Sequence, residues 1–383
     1  MKIAFIGQKG IPSRQGGVEK HVEALATRLV QAGHQVTVYS REHYTGSTAT
    51  DYHGVNVINL PSINTKHLDA ISHTFVASIH ALFGHYDIVH YHGVGPSLLA
   101  WIPRIFNPKI KVIVTFHTID RHQQKWGPIS RAFLGIGEWT ACHFPHEVIA
   151  VSQTLTKYCK YRFDINAVYI PNGIDGGNVP KPDLQTLKKF GLKSHGYFVA
   201  ISRLVQHKGL HTLVAAYTQL KTDKKLVIVG GGSNTGEYVA RLHKIAAGNP
   251  SIIFTGQQNG RALSTLFTEA YSFIQPSETE GLSVALLEAM AYGVPIITSD
   301  IEENTEATGD LALIFKNRNV NDLARQLKFA INHPDVIKRN ATLAKRHTLK
   351  TYVWDDVVKQ LIEVYKKNLY PIPLITQAKP ARR

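Results

Sequence analysis

Cysteine is nearly absent from this 383-residue chain, with only Cys142 and Cys159 present. Two thiols in no paired motif exclude a disulfide framework and fit a reducing compartment. No apolar run reaches the length of a membrane span. Met1-Lys2 leads straight into Ile3-Ala4-Phe5-Ile6-Gly7, too short for a signal peptide and readable as a first strand. The expected location is cytoplasmic, with contact at most from the inner face of the cell membrane. The tight Gly-x-Gly-x-x-Gly spacing of a dinucleotide site is missing from the first glycine-bearing loop, which weakens any hydride chemistry. No Asp-x-Asp occurs, and Ser299-Asp300-Ile301-Glu302 holds the single Asp-x-Glu. Internal repeats, low-complexity tracts and nucleic-acid recognition modules are also lacking.

What is present is a chain long enough for two domains, 44% hydrophobic and 19% charged, with ample core material. Lys and Arg number 43 against 28 Asp and Glu, a formal net charge of +15. That balance implies anionic partners, and a nucleotide diphosphate, a nucleic acid and an anionic membrane all satisfy it. Fourteen of the 20 histidines precede residue 181, a bias that makes the first half more basic at mildly acid pH.

The apolar pattern alternates between strand-like runs and helical periods. Lys2 to Gly7 reads as a strand. Val18, Val22, Leu25 and Leu29 share a helical face closed by Gly33, and Gln35 to Tyr39 is the next strand. Runs ending at Gly93, His117 and Ser152 look like buried parallel strands. The alternation restarts after residue 195, with strands at Tyr197–Ile201, Lys225–Val229, Ile252–Thr255, Tyr271–Gln275 and Pro295–Thr298. The expected architecture is α/β, two Rossmann-like domains over residues 1–176 and 195–350 joined by a proline- and lysine-bearing linker at 177–194. A helix follows at 351–370, then a tail at 371–383. In open α/β sheets ligands sit beyond the C-terminal strand ends. Residues there, among them His90, His92 and His117, are therefore site candidates.

The segment from Pro276 to Pro295 carries the densest signal. A polar loop runs into a short apolar helix expected to begin near Leu282 and to stop at Gly293 and Pro295, with Glu280 before it and Glu288 within it. The loop delivers free N–H groups at Gly281, Leu282 and Ser283 and the positive end of a helix dipole, a setting for phosphate. The two glutamates would lie about 12 Å apart were the whole segment helical. Upstream, Ser202-Arg203-Leu204-Val205-Gln206-His207-Lys208-Gly209 follows a strand. Arg203 offers a planar fork and Lys208 a point charge to phosphate oxygens. Gly16 and Gly17 stand just before the first helix, where lack of a side chain lets its N–H groups approach a ligand. Gly230-Gly231-Gly232 reads first as a permissive turn.

Glutamate, seven residues, glutamate in the setting EGLSVALLEAMAYGVP, together with the arginine and lysine upstream, resembles the retaining glycosyltransferases of family four, the glycogen-synthase and mannosyltransferase-like group. The opening MKIAFIGQKGIPSRQGGVEKHVEAL is similar to bacterial cell-surface polysaccharide transferases, rhamnosyltransferases among them. The resemblance implies a glycosyltransferase-B fold whose final helix crosses back to the first domain. It implies transfer of a hexosyl unit from a nucleotide-diphosphate sugar to an acceptor hydroxyl, with no cofactor and no metal. In that scheme Arg203 and Lys208 neutralise the leaving diphosphate, although Ser202 replaces the family's usual glycine. Glu280 and His117 meet the donor sugar, Glu288 the ribose, Gly16 and Gly17 the donor phosphate, and Gln257 the base through its backbone. A saccharide or lipid-linked acceptor is implied. Trp101, Arg104, Phe106, Lys109, Lys125, Trp126, Arg131 and Phe133 form the aromatic and basic mixture that suits an anionic membrane. Three rivals are a nucleotide-sugar epimerase, which would convert donor without acceptor, a basic nucleic-acid-binding protein, and a catalytically silent homologue.

Overall fold

The computed structural model describes residues 1–14, 16–45, 50–65, 68–122, 127–176, 181–232, 235–246 and 248–370. Lys125, Trp126 and the tail at 371–383 lie outside the described residues.

Two sheets organise the chain. The first has the order β3-β4-β2-β1-β5-β6-β7-β8. Its strands are β1 Lys2–Ile6, β2 Gln35–Arg41, β3 Asp51–Tyr52, β4 Val55–Leu60, β5 Ile88–His92, β6 Lys111–Phe116, β7 Glu147–Ala150 and β8 Val168–Tyr169. All neighbours are parallel except β3 and β4. The second, wholly parallel, has the order β11-β10-β9-β12-β13-β14. Its strands are β9 Tyr197–Ile201, β10 Lys225–Val229, β11 Ile252–Gly256, β12 Ser272–Gln275, β13 Ile296–Ser299 and β14 Leu313–Phe315. Continuous Val, Ile and Phe runs serve such strands because helices cover both faces. The five side chains of β5 are all buried, for example.

Strand order reverses between β1 and β5 in the first sheet and between β9 and β12 in the second. At such switch points the loops beyond the strand ends diverge and leave a crevice. The loop after β1 carries Gly16 and Gly17, the loop after β9 carries Arg203 and Lys208, and the loop after β12 carries Glu280. The candidate residues therefore cluster where topology opens each sheet.

Two local features differ from the sequence expectation. The helix at the carboxylate motif spans Val284–Tyr292, because the Ser283 hydroxyl accepts a hydrogen bond from Leu286 N–H at 3.3 Å and acts as N-cap. Glu280 and Leu282 thus belong to the loop. Gly293, in a left-handed conformation with φ 76°, ends the helix. Within the span expected as linker, Leu184–Lys189 forms a helix capped by Asp183. Leu187 and Leu192 bury their side chains in the same apolar cluster as Leu266 and Phe267. Hydrophobic positions three to five apart turned proline-flanked chain into packed structure.

The final helix, Trp354–Leu369, packs Val357, Leu361 and Tyr365 into the cluster of Ile3, Phe5, Leu25 and Val38. It thereby returns to the first domain. The return is fixed where Ile174 N–H donates to Tyr352 O at 2.6 Å and Trp354 N–H to Ile174 O at 3.3 Å. Both cysteines are buried free thiols. Among the described residues no helix is long and apolar enough to cross a membrane.

Candidate active site

A cleft of about 270 Å³ lies between the two sheets. Gly16, Gly17 and His117 line one wall, and Arg203, Lys208, Gln257, Gly281, Leu282, Ser283 and Glu288 line the other. Glu280 joins them. Every candidate named for donor binding or catalysis from the sequence is thus brought to a single cavity.

Lys208 and Glu280 form the centre of the second-domain wall. The Lys208 Nζ lies 2.5 Å from Glu280 Oε1, and Gln275 Nε2 donates to the same oxygen at 2.8 Å. Gln275 ends β12, so a strand terminus fixes the carboxylate. Both bonds fall on Oε1, and among the described residues no hydrogen bond falls on Oε2, which can meet a ligand hydroxyl. Gly209 permits the lysine loop to pass under the strand end: a Cβ there, at φ 66°, would sit 1.8 Å from the Pro276 carbonyl. The Arg203 guanidinium lines the cavity with no ion pair among the described residues. The N-terminus of Val284–Tyr292 opens beside these cations, its first N–H groups unsatisfied within the helix.

The two walls touch through polar contacts. Lys20 Nζ reaches across to Glu288 Oε1 at 3.0 Å. Asn172 Nδ2 donates to Leu282 O at 2.7 Å, and Gln257 Nε2 donates to the Arg14 carbonyl. Glu306 accepts from Gln153 N–H at 2.6 Å and Thr154 N–H at 3.0 Å, so a carboxylate of the second domain caps the first-domain helix Gln153–Phe163. Gly281 presses against the end of β6, where a Cβ would come within 1.6 Å of the His117 carbonyl.

The histidines are placed differently from one another. His90 is fully buried and satisfied at both ring nitrogens, by Tyr365 Oη and by Thr115 Oγ1, each at 2.7 Å. It ties β5 to the final helix and to β6, and among the described residues it is not part of the cleft lining. His92 is likewise buried, 1% exposed, and does not line the cleft. His117 does line it, with its Nε2 3.2 Å from His92 Nδ1. Burial lowers the basicity of His21 to a pKa of about 4 and of His90 to about 3, and drives His92 and His117 well below the ordinary value. Glu303, behind the loop, is pushed up to about 7 by burial with Glu280 adding repulsion.

Lys20, His21, Asn172, Gln275 and Glu306 carry site geometry that the sequence did not single out. Lys20 sits one helical turn past Gly16 and Gly17, a position that the glycine pair could have flagged. His21 follows Lys20 on the same helix and Gln275 ends the strand leading into the carboxylate loop, while Asn172 and Glu306 join the site only through long-range packing. Gly230 is more than a permissive turn, since a Cβ at its φ of 145° would meet the Ser202 carbonyl at 1.9 Å.

A cleft between two doubly wound domains, with cations and a helix N-terminus on one wall, is the arrangement of glycosyltransferases of the B fold. Residues 15–176 match Glycosyltransferase Family 4, and residues 186–348 match Glycosyl transferases group 1. The chain belongs to glycosyltransferase family four. Among its relatives, a glycogen synthase of Mycobacterium tuberculosis is 25% identical over 430 residues, covering 100% of both chains. The GDP-mannose-dependent alpha-(1-6)-phosphatidylinositol monomannoside mannosyltransferase of the same species is 26% identical, covering 95% of this chain and 98% of that one. The solved sucrose-phosphate synthase of Thermosynechococcus elongatus superposes with a TM-score of 0.82 at 20% identity, over 96% of this chain and 98% of the other. HepE of Anabaena in complex with UDP-glucose superposes with a TM-score of 0.79 at 19% identity, over 96% and 100%. These last two likenesses establish the fold.

Proposed function

We propose that this glycosyltransferase is a retaining, metal-independent hexosyltransferase that moves a hexosyl unit from a nucleotide-diphosphate sugar to a saccharide or lipid-linked acceptor hydroxyl. One observation carries the reading: Arg203, Lys208 and the N-terminus of Val284–Tyr292 converge on one wall of the cleft, where a leaving diphosphate would gather negative charge. Preorganised donors and cations aimed at developing charge are worth more there than in water, because they need no reorganisation. Glu280, held through Oε1, presents Oε2 to a sugar hydroxyl, and Glu288 serves the ribose once Lys20 is displaced or shared. Gly16 and Gly17 let the first helix approach the donor phosphate. His117 bounds the sugar end, and Gln257 lies where the base would be held by backbone contacts. The acceptor attacks from the side of the departing phosphate, which takes the acceptor proton, so no carboxylate acts as nucleophile. The polar contacts between the walls support closure that excludes water. The named donors of relatives, GDP-mannose and UDP-glucose, support a nucleoside-diphosphate hexose.

The test incubates the protein with single nucleotide sugars, with and without acceptor glycans, after chelator treatment, and follows the anomeric configuration of product by NMR. Acceptor-dependent release of nucleoside diphosphate with retained configuration is expected. Inverted product, dependence on added magnesium or manganese, or conversion of donor to another sugar without acceptor would overturn the reading.

A finer element is peripheral contact with an anionic membrane at the cytoplasmic face. Phe106 at 65%, Ile129 at 77% and Phe133 at 59% expose apolar side chains on first-domain helices, with Arg104, Lys109 and Arg131 exposed nearby in sequence. Apolar anchors flanked by cations suit anionic headgroups. Co-sedimentation with anionic vesicles should exceed that with neutral ones and fall in Phe106→Ser/Phe133→Ser; equal sedimentation with both vesicle types would remove this element.

A further inference from the structure

His21, His92 and His117 come from the first helix and from the ends of β5 and β6, and one nitrogen from each lies within 4.8 Å of the others. All three are buried, at 2%, 1% and 8% exposure. Among the described residues, no group meets hydrogen-bond geometry with either nitrogen of His21, although the Asn172 side chain lies beside the ring, and none meets it with Nε2 of His92. Neighbouring His90, satisfied at both nitrogens, shows what an ordinary structural histidine looks like in the same core. A buried polar atom left without a partner costs on the order of 1–3 kcal/mol. One nitrogen of His21 comes within 4.8 Å of a nitrogen of His92 and of one of His117, and His92 Nδ1 and His117 Nε2 are themselves 3.2 Å apart, so one shared ion would partner all three rings.

We infer that these three imidazoles form a binding site for a single borderline divalent transition metal ion such as zinc. At a zinc–nitrogen distance of 2.0–2.1 Å, two ligands of a tetrahedral ion stand about 3.3 Å apart. His92 Nδ1 and His117 Nε2 are 3.2 Å apart. Ring centroids separated by 4.8 Å for His21–His117, 5.6 Å for His21–His92 and 5.5 Å for His92–His117 fit three rings pointing inward to one centre. An all-nitrogen set of this kind selects zinc, cobalt, nickel or copper over magnesium or calcium, which take oxygen ligands. The Asn172 side chain lies against His21, and no group among the described residues meets hydrogen-bond geometry with its Oδ1, so it stands where an outer-shell acceptor would orient a ligating ring. Phe5 and Trp354 pack edge-on against His92 and His21 and supply the apolar surround. With three protein ligands, the fourth position falls to water or to a cleft ligand, since His117 borders the cleft.

The ion would tie the helix bearing Gly16, Gly17 and Lys20 to the sheet beneath it. This site is distinct from any metal bridging a diphosphate, and it stands whether or not the transferase reading does.

The test uses the full chain stripped with chelator and titrated with Co²⁺ and Zn²⁺, read by visible absorption, by calorimetry and by melting temperature. The expected result is one saturable equivalent, tetrahedral cobalt bands bleached by zinc, and a rise in melting temperature. His92→Ala should weaken Zn²⁺ binding by more than about a hundredfold, beyond the 10–100-fold expected for Asn172→Ala. Circular dichroism confirms that each variant folds, and exposed His53→Ala should change nothing. Absence of saturable Zn²⁺ and Co²⁺ binding by the wild type, or equal affinity in folded His92→Ala or folded His21→Ala, would overturn the site.

Discussion

Lys208 Nζ and Glu280 Oε1, 72 residues apart in sequence, meet at 2.5 Å at the ends of neighbouring strands β9 and β12. Their side chains are only 15% and 9% exposed, so the pair is largely withdrawn from water. Removing one partner leaves a poorly solvated charge. Lys208→Ala should therefore destabilise the protein by about 1–3 kcal/mol in urea unfolding, less than a fully buried pair because the cleft admits water. Turnover should fall much further, about a hundredfold or more, as on loss of an oxyanion donor. Arg203→Ala, which breaks no ion pair among the described residues, should lose comparable turnover with little change in stability. Unchanged turnover in both variants contradicts the leaving-group assignment.

Lys20 and Glu288 join the domains across the cleft, but their side chains are 42% and 25% exposed. A pair so open is worth about 0.2–1 kcal/mol. A double-mutant cycle on melting should give a coupling within that range, so the bridge does not hold the domains together. Glu288→Ala should instead weaken nucleotide affinity, measured by calorimetry. Unaltered affinity would remove the ribose role.

Gly281→Ala places a methyl group 1.6 Å from the His117 carbonyl. Backbone cannot yield to that, so the walls must separate. Small-angle scattering should show a larger radius of gyration, with turnover lost and circular dichroism retained. A variant as compact and active as the wild type would show that the contact is not needed.

Several histidines are held neutral by burial. Burial lowers His73 and His146 to about 4, against an ordinary 6.5. Between those values the unfolded chain binds more protons than the folded one, so stability rises with pH across that window and is lost as pH falls from about 6.5 toward 4. Urea midpoints measured from pH 7 to pH 4.5 should decline steadily in the wild type. His73→Gln, away from the cleft, should flatten part of the slope; a flat wild-type profile contradicts the neutral-histidine core.

Much of this was legible in sequence because parallel strands buried on both faces read as unbroken apolar runs. Lys225–Val229 and Tyr197–Ile201 coincide with β10 and β9. The carboxylate loop was visible because its chemistry is local: Glu280, Ser283, Gly293 and Pro295 lie within one stretch. His90 and His92 misled because a strand end names only a neighbourhood: both rings lie on the same face of β5, stacked 4.3 Å apart, beneath the covering final helix. Tyr365 claims His90 from 275 residues away. The helix Leu184–Lys189 was hidden among proline and lysine because the side chains that pack there, Leu187, Phe190 and Leu192, are too few and too unevenly spaced to show a helical period. Glu306 capping the helix Gln153–Phe163 joins segments about 150 residues apart, which no local pattern encodes.

The most direct measurement is isothermal calorimetry of uridine, guanosine and adenosine diphosphates and their hexose conjugates against the wild type and Arg203→Ala. One base binding in the micromolar range, with affinity reduced by the substitution, is the predicted result. No binding to any of them, or equal binding by both proteins, would contradict a diphosphate-holding cleft centred on Arg203 and Lys208.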